Sequence, residues 1–102
     1  MRMWNVDPTK MCRQHLLGEH NECHMFVGTI NRGISVQGYL DNLLLDPSTL
    51  RSRHDELSTE MIRRGYKHNS PLPEFNKGEL AGIVLTKDNE IELRRRCKNC
   101  KL

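Results

Sequence analysis

His15 and Glu22 lie seven residues apart. In a helix, seven steps of 100° come to 700°, or −20°, so both side chains share one face, about 10 Å apart along the axis. Gly18 falls between them on nearly the same face, and Gln14 flanks the stripe. A glycine at that place leaves room for another backbone or a nucleic acid to approach closely. A carboxyl group so placed can give or take a proton in a reaction. His and Gln can hold a substrate by hydrogen bonds. An ordinary solvated helix face would use the same residue types, and these residues alone leave both readings open.

Basic residues make a second set. They cluster as Arg51/Arg53, Arg63/Arg64/Lys67 and Arg94/Arg95/Arg96/Lys98/Lys101. Residues 1–50 hold four Lys/Arg against five Asp/Glu, a net of −1; residues 51–102 hold twelve against eight, a net of +4. Such clusters suit a phosphate backbone, although a solvated basic face has the same composition.

Cysteine and histidine make a third. Cys97-Lys-Asn-Cys100 is a C-x-x-C at the end of the sequence. Cys12 and Cys23 are eleven apart on one expected helix, about 16 Å along its axis, so they cannot both reach one metal. His20 and His24 are i and i+4 on one face, a known ligand spacing. With Cys97 and Cys100 they would make a Cys₂His₂ zinc site pinning the tail to the first helix. The alternative is two exposed histidines and a loose tail with free thiols. The segment is not the metalloprotease pattern, because no glutamate follows the first histidine.

The elements that must position these groups are mostly helical. Asp7-Pro8 is a cap followed by proline, so one long helix is expected from there to Asn31-Arg32-Gly33, with Cys12, Leu16, Cys23, Phe26, Val27 and Ile30 inward. Residues 36–45 form a small helix or a turn-rich connector. Asp46-Pro47 opens a second clear helix with Leu50, Leu57, Met61 and Ile62 inward and Gly65 as its stop. Residues 69–75 read as an extended loop, because each proline biases its predecessor out of the helical region. Gly82 to Thr86 has strand composition, and Asp88 caps a helix through Arg94–Arg96 in preference to a hairpin. The fold class expected is mainly α: a small single domain over 1–102, with one long N-terminal helix and little or no sheet, and with 76–102 as a basic C-terminal extension.

At 36% hydrophobic and 5% aromatic residues, 102 residues allow only a thin core, which a ligand or metal would help. No run of about 18 apolar residues is present, so no membrane span is expected. The start MRMWNVDPTK has no apolar signal region. Four cysteines without a secretory signal point to a reducing cytoplasm.

The run Gln14-His15-Leu16-Leu17-Gly18-Glu19-His20-Asn21-Glu22 resembles the catalytic helix of the pyrimidine dimer DNA glycosylase family, the phage endonuclease V type. There a Gln-His-Leu-x-x-Glu-x-x-Glu run ends in the catalytic glutamate. Arg53-His54-Asp55-Glu56-Leu57-Ser58-Thr59-Glu60-Met61-Ile62-Arg63-Arg64-Gly65-Tyr66 is similar to the family's Arg-x-x-Glu-Leu-x-x-Glu run that ends in Arg-Gly and an aromatic. The resemblance covers about residues 1–66 and needs no gap from the first residue to Glu22. It implies that the α-amine of the first residue is the nucleophile. Arg2 is large, so an aminopeptidase should leave Met1 in place, and the amine is that of Met1. An α-amine titrates near 7.7–8.0 against about 10.4 for lysine, so far more of it is neutral and nucleophilic at pH 7.

The resemblance therefore implies a DNA repair glycosylase and abasic-site lyase with Met1 and Glu22 catalytic. Arg2, Gln14, His15, Arg51, Arg53, Arg63 and Arg64 would contact DNA, and Trp4 or Tyr66 would stack, wedge or serve the core. Catalysis would need no cofactor, and zinc would be structural. The partner would be damaged double-stranded DNA, bound by a monomer in the cytoplasm, on the nucleoid or in a phage-infected cell. Asn21 and Met25 replace basic residues of the best-known relative, and its aromatic C-terminal stretch is missing, which separates the amine–glutamate pair from the choice of lesion. A non-catalytic DNA-binding module and a small zinc-stapled interaction protein are the alternatives.

Overall fold

A computed structural model describes residues 1–68 and 70–102. Asn69, the first residue of the expected extended loop, lies outside the described residues. Among the described residues, four α-helices follow a 3-10 turn at Pro8–Lys10: α1 (Arg13–Asn31), α2 (Gln37–Asp41), α3 (Leu50–Arg63) and α4 (Thr86–Arg96). No strand occurs among the described residues, and none of their helices is long and apolar enough to cross a membrane. The mainly helical expectation holds.

The first helix starts later than its spacing suggests. Asp7 caps only the 3-10 turn, its carboxylate accepting from the Thr9 N–H at 3.0 Å. Met11 and Cys12 are extended, and α1 begins at Arg13 with Cys12 as its N-cap. Tertiary contacts stabilise this break. Met11 is buried in the core, and the Arg64 guanidinium donates to the carbonyls of Pro8 and Met11 at 3.1 and 2.7 Å. The C-terminal end is where glycine chemistry puts it, with Gly33 at φ +72° beyond Asn31. Gly65 ends α3 in the same way at φ +83°.

Helices α1 and α3 pack on each other. Leu16, Cys23, Phe26 and Val27 of α1 are buried with Leu50, Leu57 and Met61 of α3. Ile62, expected inward, is 61% exposed, because it sits on the flank of α3 away from α1. Across this apolar contact runs a buried ion pair. Arg53 Nε and Nη2 donate to the two oxygens of Glu19 at 2.7 and 2.8 Å, and Nη1 donates to the Val6 carbonyl at 2.7 Å.

The last third of the chain belongs to the same core. Leu93 of α4 is buried, and so is Cys100 beyond it. Asn89 of α4 donates to the carbonyls of Trp4 and Met3 at 2.9 and 3.4 Å, which holds the N-terminal segment against α4. On its other side that segment is fixed by the Met3 N–H on the Leu44 carbonyl at 2.8 Å.

Candidate active site

The face of α1 that carries His15, Gly18 and Glu22 opens on a cavity of about 520 Å³. Met1, Arg2, Trp4 and Gln14 line it as well, together with Leu44 and Arg96. The seven-residue spacing thus puts His15 and Glu22 on one wall, and the N-terminal segment folds back to form another. A Cβ on Gly18 would meet nothing within 4 Å, so this part of the wall is open to an approaching molecule.

Glu22 is half-buried. Burial pushes its carboxyl above the usual range, opposed by the Arg2 backbone N–H and the terminal ammonium, while Glu19 pushes it further up. Burial lowers the Arg2 guanidinium from its ordinary value, and the like charge of Arg96 adds to this. Both guanidinium groups lie over the Trp4 ring, 3.9 Å and 5.6 Å from its centre. Arg2 Nη2 donates to Asn89 Oδ1 at 2.6 Å, and Arg2 Nε has no hydrogen-bond partner among the described residues. Trp4 itself is buried, so of its two expected roles the core one fits. Tyr66 is half-buried beside Arg13, 5.2 Å from its ring centre.

The basic residues of α3 divide by exposure. Arg53, expected to contact DNA, is 4% exposed and spends its donors on Glu19, Glu56 and Val6, so it holds the helices together instead. Arg64 is turned inward onto Glu60 and the N-terminal carbonyls. Arg63 is exposed but paired with Glu60 at 2.6 Å. Arg51 is partly exposed and donates to the carbonyls of Leu72 and Pro73 at 3.2 and 2.8 Å. None of these four lines the cavity.

A family model described as pyrimidine dimer DNA glycosylase matches residues 1–74. The chain belongs to this family. No curated protein and no solved structure matches it. Membership carries DNA glycosylase as the class of activity and DNA as the substrate. The match ends before α4, yet α4 supplies Arg96 to the cavity and Asn89 to the N-terminal segment. Neither residue carries a local motif. Their signal is long-range contact, which spacing along the chain does not contain.

The expected set His20, His24, Cys97 and Cys100 does not come together. From His15, His20 is turned by about 140° and His24 by about 180° around α1, so the two face the side opposite the tail. Cys97 and Cys100 instead meet Cys12 and His15, with all four ligand atoms within 4.8 Å of one another. The Sγ atoms of Cys97 and Cys12 are 3.8 Å apart, and His15 Nδ1 lies 3.1 Å from Cys12 Sγ and 3.6 Å from Cys100 Sγ. The Cys12 backbone N–H donates to Cys100 Sγ at 3.2 Å, and the Lys101 N–H to the Lys10 carbonyl at 2.7 Å. A usable sequence signal was present: Cys12-x-x-His15 repeats the spacing of Cys97-x-x-Cys100. Reading Cys12 as helical rather than as the extended cap hid it. Cys23 is fully buried in the core, where burial pushes its thiol up to about 12.

His20 and His24 gather with His54 and His68. His20 Nε2 is 2.8 Å from His68 Nε2, and His24 Nε2 is 3.1 Å from His54 Nε2. Burial, with the neighbouring imidazoles of His54, His68 and His24, lowers His20 to about 4, so it is neutral at pH 7.

Proposed function

We propose that the protein is a DNA glycosylase and abasic-site lyase that works through an imine on the Met1 α-amine. The observation that carries this reading is that Met1, Arg2, His15 and Glu22 line one cavity whose floor is opened by Gly18. The neutral amine attacks C1′ of a damaged nucleotide. The N–C1′ bond forms as the glycosidic bond breaks, and the base leaves with that electron pair and takes a proton from the amine. The C1′–O4′ bond then opens, O4′ taking a proton from the Glu22 carboxyl, and the nitrogen lone pair completes the iminium. The Glu22 carboxylate next removes a C2′ proton, and β-elimination expels the 3′ phosphate. One group gives a proton and takes one back, so Glu22 returns to its starting state. Burial favours the protonated form it needs at the outset.

The reacting phosphate has two cations to meet it. Arg2 and Arg96 lie on the same cavity, where the Arg96 charge helps lower the Arg2 guanidinium, and a phosphate dianion or diester between them relieves that repulsion. Gln14 and His15 hold the sugar and the strand. Reaching C1′ needs the duplex bent or a nucleotide turned out, which costs a few kcal/mol and is cheapest at a damaged pair.

Catalysis uses no cofactor on this route. Zinc would have a structural part, held by Cys12, His15, Cys97 and Cys100. A tetrahedral zinc with Zn–S about 2.3 Å and Zn–N about 2.0–2.1 Å sets S···S near 3.8 Å and S···N near 3.5 Å. The separations of 3.8 Å and 3.6 Å agree with this, and His15 Nδ1 to Cys12 Sγ, at 3.1 Å, is a few tenths of an ångström shorter. Such an ion fastens the end of α4, and with it Arg96, to the start of α1, and leaves His15 Nε2 as the remaining polar atom of that ring.

Borohydride trapping tests the reaction. The untagged protein, its free Met1 confirmed by mass spectrometry, is mixed with one duplex carrying a cyclobutane thymine dimer and one carrying an abasic site. A reduced adduct mapping to Met1 on both establishes glycosylase and lyase. An adduct on the abasic duplex alone keeps the lyase and moves the base lesion elsewhere. No adduct on either leaves a DNA-binding module as the better account.

A further inference from the structure

The far side of α1 from the cavity carries four imidazoles that meet across three elements. His20 and His24 come from α1, His54 from α3, and His68 from the segment after α3. Ring centres of His20 lie 4.6 Å from His54, 4.7 Å from His68 and 5.0 Å from His24. The Nε2 atoms turn toward one another in two pairs, at 2.8 Å and 3.1 Å. Ligand atoms of His20, His54 and His68 all fall within 4.8 Å of each other. His24 falls outside this set, its Nε2 near His54 alone. We propose that His20, His54 and His68 form a second zinc site, each ligating through Nε2, with His24 at its edge. This does not depend on the enzymatic reading.

Proton bookkeeping favours a cation at the centre. A neutral imidazole has one N–H. His54 Nδ1 lies 2.9 Å from an oxygen of the Asp55 carboxylate, which calls for the N–H there. His54 Nε2 then carries only a lone pair, yet the Ser70 carbonyl oxygen is 3.3 Å away from it. Two lone pairs facing each other repel unless a cation draws the nitrogen's. His68 Nε2 has a similar difficulty. It lies 2.8 Å from His20 Nε2 and 3.1 Å from Ser58 Oγ, whose own proton goes to the His54 carbonyl at 2.8 Å. One N–H on His68 cannot serve both. A metal takes the lone pairs of His20, His54 and His68 at once and leaves each Nδ1 as a donor.

The chemistry of the set selects the ion. Imidazole nitrogens suit zinc and its neighbours in the transition series, and no carboxylate enters the inner set to favour calcium or magnesium. A tetrahedral zinc at about 2.0–2.1 Å from nitrogen needs N···N edges near 3.3 Å; the His20–His68 pair is at 2.8 Å, and the three ligand atoms all lie within 4.8 Å of one another. Asp55 behind His54 is the carboxylate that orients a ligating histidine and offsets the charge of the ion. Glu22 is two residues from both His20 and His24, which turns it about 160° away around the helix. The ion therefore ties the back of α1 to α3 and to the segment after it, behind the residue that faces the cavity.

Cobalt loading distinguishes this site from the cysteine one. The full chain, free of any histidine tag, is stripped with a chelator, reloaded with cobalt(II) and desalted. Two equivalents are expected to remain. One carries thiolate-to-cobalt charge-transfer absorption, and the other shows ligand-field bands alone. His68→Ala is a suitable variant because the residue is only half-buried. It should lose one equivalent and keep the charge-transfer absorption, while Cys97→Ser should do the reverse. A wild type that retains one equivalent, with the thiolate band, overturns the histidine site, as does a second equivalent that desalting removes. That count needs no variant to fold. Loss of the thiolate band alone would remove the cysteine site and leave this one, and neither outcome bears on borohydride trapping.

Discussion

Arg2 and Asn89, 87 positions apart, share a hydrogen bond of 2.6 Å. Asn89 also donates to the carbonyls of Met3 and Trp4, so one buried side chain fixes three successive residues behind the N-terminal amine. It acts as a positioning residue. Asn89→Ala leaves two buried carbonyls with one donor fewer and should cost about 1–3 kcal/mol of stability. It should also slow adduct formation at Met1, while Asn89→Asp, which restores only the acceptor for Arg2, should recover less than half of the lost rate. Urea denaturation and a trapping time course measure the two effects; an unchanged trapping rate in a destabilised Asn89→Ala would confine Asn89 to the fold.

Glu22 is expected to matter for turnover and not for binding. Glu22→Gln keeps the shape and removes the proton transfer, so strand cleavage should fall by about 10²–10⁴. Affinity for an abasic duplex should stay within about two-fold. Gel shift and nicking assays on the same preparation read both. Nicking at the wild-type rate would take Glu22 out of the mechanism.

A residue added before Met1 should abolish trapping. It replaces the amine at the cavity by an amide, which has no nucleophilic lone pair. Trapping by a protein extended by two residues and released again with a protease makes a direct comparison. Recovery of the adduct only after release is the expected result.

The Glu19–Arg53 pair should resist single substitution and tolerate double substitution. Glu19→Gln leaves a buried guanidinium with only the exposed Glu56 as counter-charge, at a cost of about 3–5 kcal/mol, whereas Glu19→Leu with Arg53→Met removes the buried pair and should recover most of it. Chemical denaturation gives the numbers. The salt dependence of DNA binding should not change in the double variant, since Arg53 is not exposed to phosphate.

Stability should depend on Glu60 at acid pH. Hydrogen bonds from Arg63, then those from Arg64, hold its carboxyl down to about 2, against an ordinary value of 4.5. A folded-state value below the unfolded one means the contribution is fully present above the unfolded value and is lost as pH falls through the folded one. The stability gap between wild type and Glu60→Gln should therefore be constant near neutrality and close between about pH 4.5 and pH 2. A gap that stays open at pH 2 would show that Glu60 acts through packing and not through its charge.

The sequence by itself determined the helical class, the run of α1 to its glycine cap, the body and stop of α3, and the shared face of His15, Gly18 and Glu22. Each of these depends on neighbours within a turn or two, through the 3.6-residue period or a cap, so local spacing carries the information. The tertiary structure alone decided where Cys12, Arg53, Cys97, His54 and His68 would act. The break at Met11–Cys12 arises from Arg64 donating to carbonyls more than fifty residues away. The burial of Arg53 depends on Glu19 facing it from another helix. The side of α1 that Cys97 and Cys100 meet was set by α4 lying against the N-terminal segment through Asn89. Such contacts join residues whose separation in sequence says nothing of their separation in space, and only packing of the whole core selects among them.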